Sequence, residues 1–229
     1  MKNKLIFCLL IALLSGCAAP SQPTETPQTK ATDEPMTRTL PEKENPQSAL
    51  MSDSPINAVN LDDYLLIEDV LYIDLRSPAQ VSEEGIAAGF VNIPFYDVLV
   101  SYQWKENVLY HMTKVNDEQG NVIAHMGETG SFFPNYEESE SLIRDLFPQD
   151  QPIVFMSTAG VEAAYMISLL QQLGYDGALL YNAGTFSNGM GDIIAYKDYS
   201  EAKYLTPGTN VYTVTSEFRW NETLTPIQP

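Results

Sequence analysis

The sequence predicts an α/β fold in which a parallel sheet is flanked by helices. Short apolar runs at 71–74, 153–156 and 178–181 have the length and the polar boundaries of buried strands. Apolar residues recur at helical spacing between the last two runs, and a strand, a helix and a strand with short connections make neighbouring strands parallel. Ligand sites in such folds lie beyond the carboxyl ends of the strands, so function is sought there.

The first residues carry the pattern of an export signal. Lys2 and Lys4 precede an apolar run over 5–14, which is too short to span a bilayer about 30 Å thick as a helix. The run ends in Leu14-Ser15-Gly16-Cys17, which resembles the lipobox of bacterial lipoproteins. The resemblance implies a signal peptide over 1–16 and acyl chains such as palmitate on Cys17. These would anchor the protein in the cell membrane or envelope, facing outside the cytoplasm. The alternative is an ordinary secretory signal in which Cys17 is incidental.

Residues 17–55 are predicted to form a disordered tether. From residue 18 onward this stretch holds seven prolines and no aromatic residue, so it can bury too little apolar surface to offset the entropy of ordering. The folded domain is therefore expected over 56–195, followed by a C-terminal extension over 196–229.

The composition excludes several kinds of chemistry. Acidic residues outnumber basic ones 30 to 12, and the net charge of −18 argues against binding to nucleic acid or to anionic lipid. The two cysteines are Cys8 and Cys17, so the folded part has no thiol for catalysis, for a disulfide or for zinc. With His111 and His125 as the two histidines, the sequence predicts no metal site and no cofactor.

The apolar run at 153–156 leads into a loop and a helix. Ala163, Ile167 and Leu170 lie at helical spacing, and Gly174 is typical of the position after a helix end. The loop is the candidate binding site because it follows the carboxyl end of a strand. Its residues are Ser157, Thr158, Ala159, Gly160, Val161 and Glu162.

Two blocks of the sequence together resemble the rhodanese superfamily. The first begins with Asp74-Leu75-Arg76 at a strand end and continues with Gly85, Gly89, Asn92, Ile93 and Pro94. The second block, over 152–184, resembles the family's active-site strand, loop, helix and following strand. The resemblance covers about 56–195 and implies a rhodanese-like sheet. Gln80 and Ile86 depart from the motif, where a glutamate and a histidine are usual.

The sequence departs from the family at the active-site positions. Rhodaneses carry sulfur as a persulfide on a cysteine at the strand end, within a cradle of backbone N–H groups, and often have a basic residue five positions later. Ser157 stands at the cysteine position and Glu162 at the basic one. A hydroxyl cannot form a persulfide, and a carboxylate repels an anionic sulfur donor. The resemblance therefore implies a pseudoenzyme with no catalytic residue. We expect Asp74 and Arg76 to form a structural pair at their strand end.

The predicted function is that of a non-catalytic binding module at the cell envelope, whose partner is an unknown protein or small ligand. The alternative is a sulfurtransferase-class enzyme, similar to thiosulfate sulfurtransferase, with an atypical active-site loop. A serine hydrolase would need His111 or His125 to reach Ser157, and no Gly-x-Ser-x-Gly motif surrounds that serine.

An insertion is expected at about 101–135, since this stretch is longer than the resemblance requires. Residues 108–115 and 122–126 are strand-like and 117–121 are turn-like, which predicts a β-hairpin. Residues 137–147 are predicted to form a short helix that leads back to the core.

The C-terminal extension contains a regular alternation over 210–220, which predicts a strand. A lone hairpin is marginal in water, so we expect this strand to pair with the inserted hairpin in a small antiparallel sheet. The side chains expected on its inward face are those of Tyr212, Val214, Phe218 and Trp220.

Overall fold

A computed structural model of the chain describes residues 38–113, 131–209 and 224–227. Its strands are β1 (Leu71–Asp74), β2 (Ile86–Ala87), β3 (Phe90–Asn92), β4 (Val100–Ser101), β5 (Tyr110–Met112), β6 (Phe132–Pro134), β7 (Ile153–Ser157), β8 (Leu180–Thr185) and β9 (Leu205–Thr206). Its α-helices are α1 (Pro78–Glu84), α2 (Ser139–Leu146) and α3 (Val161–Gln172). The largest sheet has the order β3-β1-β7-β8 with all neighbours parallel, which confirms the predicted α/β class with a parallel sheet and flanking helices.

The parallel sheet is buried on both faces. Ile153 and Phe155 of β7 belong to the apolar cluster that contains α3, whereas Val154 and Met156 belong to a second cluster built on residues 56–65. Successive side chains of a strand point to opposite faces, so one face packs against α3 and the other against an irregular segment. Burial on both faces explains why these strands read as unbroken apolar runs.

The third predicted strand begins later than its sequence suggests. The side chain of Asp176 accepts a hydrogen bond from the backbone N–H of Ala178 and turns residues 177–179 into a single 3₁₀ turn. β8 therefore starts at Leu180 and continues through the polar residues up to Thr185, all of them buried. Propensity alone marks Asn182 and Gly184 as loop residues, and the tertiary hydrogen bonds of Asn182 override it.

The compact unit begins before residue 56, within the stretch predicted as a tether. The ammonium group of Lys43 donates hydrogen bonds of 2.8 Å to the carbonyls of Gly177 and Leu180 beside β8. Ala49 is only 3% exposed and belongs to the main apolar cluster. Residues 38–55 therefore pack on the edge of the sheet, although they contain few apolar groups of their own. Residues 17–37 lie outside the described ranges.

The insertion forms a small sheet of its own. β5 pairs in parallel with β4 and antiparallel with β6, so both of its edges are occupied. The partner of β5 is therefore β6, and the predicted turn at 117–121 and second strand at 122–126 lie outside the described residues. The predicted helix at 137–147 is confirmed as α2, with narrower bounds.

The C-terminal part completes a third, two-stranded sheet and also contacts the sheet of the insertion. β9 pairs with β2, and Tyr196 is fully buried, so the predicted extension starts within the core. Thr225 and Ile227 exchange backbone hydrogen bonds with Glu137 and Asn135, next to β6. The predicted strand over 210–220 lies outside the described residues, and its pairing with a hairpin stays a prediction. The described segments contain no helix with the length and apolar character needed to cross a membrane.

Candidate functional site

Asp74 and Arg76 form an ion pair at the carboxyl end of β1. The Nη2 atom of Arg76 lies 2.6 Å from Oδ2 of Asp74, and both side chains are at most 1% exposed. The same guanidinium group donates to the carbonyl of Gly85 and to Glu84, and it stacks on the ring of Phe186 at 3.4 Å from the centroid. With four of its five N–H donors engaged in this way and its side chain buried, Arg76 holds the fold together and is poorly placed to meet an incoming anion.

Two further residues of the first block secure this strand end. The side-chain amide of Asn92 donates to the carbonyls of Asp74 and Arg76, at 2.9 and 2.7 Å. Gly85 has a φ of +89°, and a Cβ there would lie 2.1 Å from the carbonyl oxygen of Thr206. Only glycine fits at this position. These contacts give a structural reason for the residues that carry the resemblance.

Gln80 connects the first block to the candidate loop. Its carbonyl oxygen accepts from the N–H and the hydroxyl of Ser77, which completes a capping box at the start of α1. Its amide nitrogen donates to Oγ1 of Thr158 at 3.0 Å. In the sequence, Gln80 stands out only as a departure from the motif of the rhodanese superfamily. The Ser-x-x-Gln spacing predicts the capping box at the start of α1, but no sequence pattern indicates the contact between Gln80 and Thr158.

The loop after β7 is held through its carbonyl groups. The carbonyl of Ser157 accepts from the N–H of Phe186, and that of Thr158 accepts from the N–H groups of Ser187 and Asn188. Gly160 adopts a φ of +80° and begins α3. The loop is therefore pinned to the segment that follows β8, and the amino end of α3 adjoins the end of β7.

Three buried oxygen atoms in this part of the chain have no hydrogen-bond partner. They are Oγ of Ser157, Oε2 of Glu162 and the hydroxyl of Tyr165, and within the described ranges they are the buried side-chain polar atoms left unpaired. Buried polar atoms without partners are rare in folded proteins. Their concentration in one strand–loop–helix segment marks it as the candidate functional site.

A group of tyrosines borders Glu162. The hydroxyls of Tyr96 and Tyr102 lie 2.6 Å apart, and the ring of Tyr165 stacks on Phe95 with centroids 6.0 Å apart. Burial raises the pKa of Tyr96 and of Tyr165, and the neighbouring Tyr102 and Glu162 raise these pKa values further. The phenols therefore stay protonated at neutral pH. No sequence pattern indicates this group of tyrosines, because its members come from separate segments and share no local motif.

Among the described residues, Ser157 has no hydrogen-bonding base beside it. Its side chain is fully buried. His111 lies on β5, where its Nδ1 atom is 2.6 Å from Oδ1 of Asn135, and His125 lies outside the described residues. The described segments hold no cluster of histidine, cysteine and carboxylate side chains suited to a metal ion. Cys17 also lies outside them.

The charges of the site favour a neutral or donor-rich ligand over an anion. The amino end of α3 carries roughly half a positive charge, and the carboxylate of Glu162 in its first turn opposes it with a full negative one. Arg76, the basic residue of the first sequence block, already forms ion pairs with Asp74 and Glu84. Tyrosine hydroxyls can donate and accept, so they suit a neutral partner.

None of the family models, curated proteins or solved structures compared with this chain matches it. The resemblance to rhodaneses therefore rests on the residues of the two sequence blocks alone.

Proposed function

We propose that this chain is a lipid-anchored protein of the cell envelope whose rhodanese-like domain binds a ligand or partner protein without transferring sulfur. The observation that carries the proposal is the chemistry at the end of β7. The atom at the position of the family's sulfur-carrying thiol is the hydroxyl of Ser157, which is buried and unpaired. A hydroxyl has neither the acidity nor the polarisability to hold a persulfide.

The charge at position 162 supports the same proposal. A unit charge about 5 Å from an anionic donor contributes on the order of 3 kcal/mol at an effective dielectric constant near 20. Glu162 has the sign that opposes an anion, whereas the basic residue of the family would attract it. Glu162 also stabilises α3, because a carboxylate in the first turn of a helix interacts favourably with its dipole, by about 0.3–1 kcal/mol.

The contacts around the loop support a retained scaffold. Asp74, Arg76 and Asn92 tie the end of β1, and Gln80 reaches across to Thr158. A domain that had lost all function at this edge would have no need for buried polar atoms there, because each unpaired atom costs about 1–3 kcal/mol. We therefore assign the edge a binding role.

The absence of sulfur transfer is tested with thiosulfate as donor and cyanide as acceptor. The wild-type chain should produce thiocyanate no faster than buffer. A rate comparable to that of an ordinary rhodanese would refute the proposal and support the alternative, a sulfurtransferase with an atypical active-site loop.

The anchor is tested with the variant Cys17→Ser. Wild-type protein expressed in a bacterium should partition into detergent and carry the mass of a processed, acylated chain. The variant should be absent from the detergent phase, since no other residue of the lipobox can take the acyl chains. Cys8→Ser is the matched control and should partition as the wild type does. Identical partitioning and mass for all three proteins would refute the anchor.

A further inference from the structure

A cavity of about 280 Å³ lies beside the candidate loop and does not include it. Three segments form it: residues 51–59 before β1, the end of β8 at 183–185, and the stretch 192–194 that follows. The cavity is therefore at the carboxyl end of a parallel strand, where α/β folds place their ligands. Its size is close to the lower end of the range of about 300–1,000 Å³ seen for ligand pockets.

Met51 separates the cavity from the loop. A Cβ atom at Gly184 would lie 2.6 Å from the sulfur of Met51, and a Cβ at Gly160 would lie 3.0 Å from it. The thioether thus packs directly on the backbone of both glycines. Because Met51 also lines the cavity, a ligand there would contact the side chain that touches the start of α3.

The mouth of the cavity exposes large apolar side chains. Val59 is 53% exposed, Ile193 43% and Ile194 47%, and all three line the cavity. Met190, two residues before the lining stretch, is 52% exposed. A single exposed apolar residue is ordinary, but several around one concave site are typical of a binding surface.

Most polar side chains of the cavity are already satisfied. The hydroxyl of Thr185 bonds with Thr158 and Asn188, and Oδ1 of Asn57 accepts from the N–H of Val59. The hydroxyl of Ser54 accepts from the N–H of Ile56. These groups therefore offer a ligand few vacant hydrogen bonds, and the wall acts largely as an apolar surface.

Asp192 is the charged residue of this lining, and it makes no hydrogen bond or ion pair with another described residue. No lysine or arginine belongs to the lining. Together with a net charge of −18, this carboxylate makes the site attractive to cations. An anionic ligand would find an apolar pocket with a like charge at its edge.

We propose that this cavity binds a small amphiphilic amine, with its apolar body against Val59 and Ile194 and its ammonium group toward Asp192. This goes beyond the proposed function, because it assigns a second site with a stated ligand class. It does not depend on the absence of sulfur transfer or on the anchor, so either could fail while this site stands.

The test compares three probes with similar apolar bodies and different charges: phenethylamine, phenethyl alcohol and hydrocinnamate. Their affinities for the full purified chain are measured by ligand-observed NMR titration. The amine should bind about three- to fivefold more tightly than the alcohol, since an exposed charge pair contributes up to about 1 kcal/mol. Hydrocinnamate should bind more weakly than either.

The variants that test the site change only solvent-exposed residues, so we expect each of them to fold as the wild type does. Asp192→Asn should abolish the preference for the amine over the alcohol, whereas Asp97→Asn, an exposed acid in the turn after β3, should leave it unchanged. Ile194→Ser should weaken the amine and the alcohol alike, by about fivefold. Val91→Ser, at a 48% exposed position on the opposite edge strand β3, should weaken neither.

Three results would overturn the proposal. Absence of binding by all three probes would show that the cavity is not a ligand site. Unchanged affinities in Ile194→Ser would place any binding elsewhere. A preference for the amine that persists in Asp192→Asn would remove the assigned role of that carboxylate.

Discussion

Arg76 is a charge that the fold buries completely, at 2% exposure, and it is stable there because every side of the guanidinium has a partner. Such a pair adds little net stability over apolar residues, but removing one partner leaves a buried charge uncompensated. The pair therefore makes the fold sensitive to single substitutions and tolerant of a matched double one.

This sensitivity gives a prediction for Asp74→Ala. The variant should lose about 3–5 kcal/mol of unfolding free energy in urea, because Arg76 stays charged and buried with only the partly exposed Glu84 as its counter-ion. The double variant Asp74→Ala/Arg76→Met should lose less than the single one. Asp198→Ala, which removes the exposed pair with Lys197, is the control and should cost less than about 1 kcal/mol. Equal losses for Asp74→Ala and Asp198→Ala would contradict this account.

At the same scale, the sequence allowed some of the site to be predicted and not the rest. Ser157 and Glu162 stand in one local motif, so their positions at the strand end and first helical turn followed from spacing alone. Tyr96 and Tyr102 come from a segment that no motif covers. Their hydroxyls meet, and Tyr96 approaches Glu162, only through tertiary packing, and no periodicity of the sequence indicates these contacts.

At the scale of elements, the segment 38–55 shows where composition misleads. Its prolines and polar residues favour disorder, yet it is fixed by specific contacts: four carbonyls, including those of Pro46 and Ser48, surround the ammonium group of Lys43. The strands β1 and β7 were predictable because a strand that is buried on both faces consists of consecutive apolar residues. A segment fixed by one lysine and a few scattered contacts, such as those of Ala49 and Met51, leaves no such pattern.

This segment can be removed stepwise. A chain beginning at Arg38 should unfold at the same temperature as the chain beginning at Cys17. A chain beginning at Ile56 should unfold several degrees lower, since it loses Lys43, Ala49 and Met51, and 1 kcal/mol shifts the midpoint by roughly 2–4 °C in a domain of this size. Thermal denaturation followed by circular dichroism measures both. Identical midpoints for the chains beginning at Arg38 and Ile56 would show that the segment is a tether after all.

The whole molecule is rich in buried tyrosines, and this sets its response to alkali. Burial raises the pKa of Tyr110 to about 12, and it also raises the pKa values of Tyr72, Tyr175 and Tyr181 above the ordinary value of 10.0. The folded state thus keeps these protons after the unfolded chain has lost them. Their contribution to stability is complete below pH 10 and is lost as the pH rises toward 12.

Lys43 changes stability with pH in the opposite direction to the buried tyrosines. Burial lowers the pKa of Lys43 to about 8, although Asp176 and Asp53 oppose the shift. The folded state releases this proton more readily than the unfolded chain, so this residue makes stability rise between about pH 8 and 10.5.

Stability in urea should therefore hold or rise from pH 8 to about 10 and then fall steeply. In parallel, absorbance at the tyrosinate band should show the buried tyrosines of the folded protein titrating at higher pH than in the urea-unfolded chain. In urea a single group should appear near pH 10. One titration step near pH 10 in the folded protein, with no loss of stability above it, would contradict the burial of these side chains.

We have proposed that the domain keeps a rhodanese-like scaffold and lacks its sulfur chemistry because of Ser157 and Glu162. The most direct measurement is sulfur transfer from thiosulfate to cyanide by the wild type, Ser157→Cys, Glu162→Arg and the double variant, at equal concentration. We predict no activity in the wild type or in Glu162→Arg, little in Ser157→Cys because the carboxylate still repels the donor, and clearly more in the double variant, which restores both thiol and positive charge. Wild-type activity at the level of an ordinary rhodanese, or a folded double variant no more active than Ser157→Cys, would contradict the account.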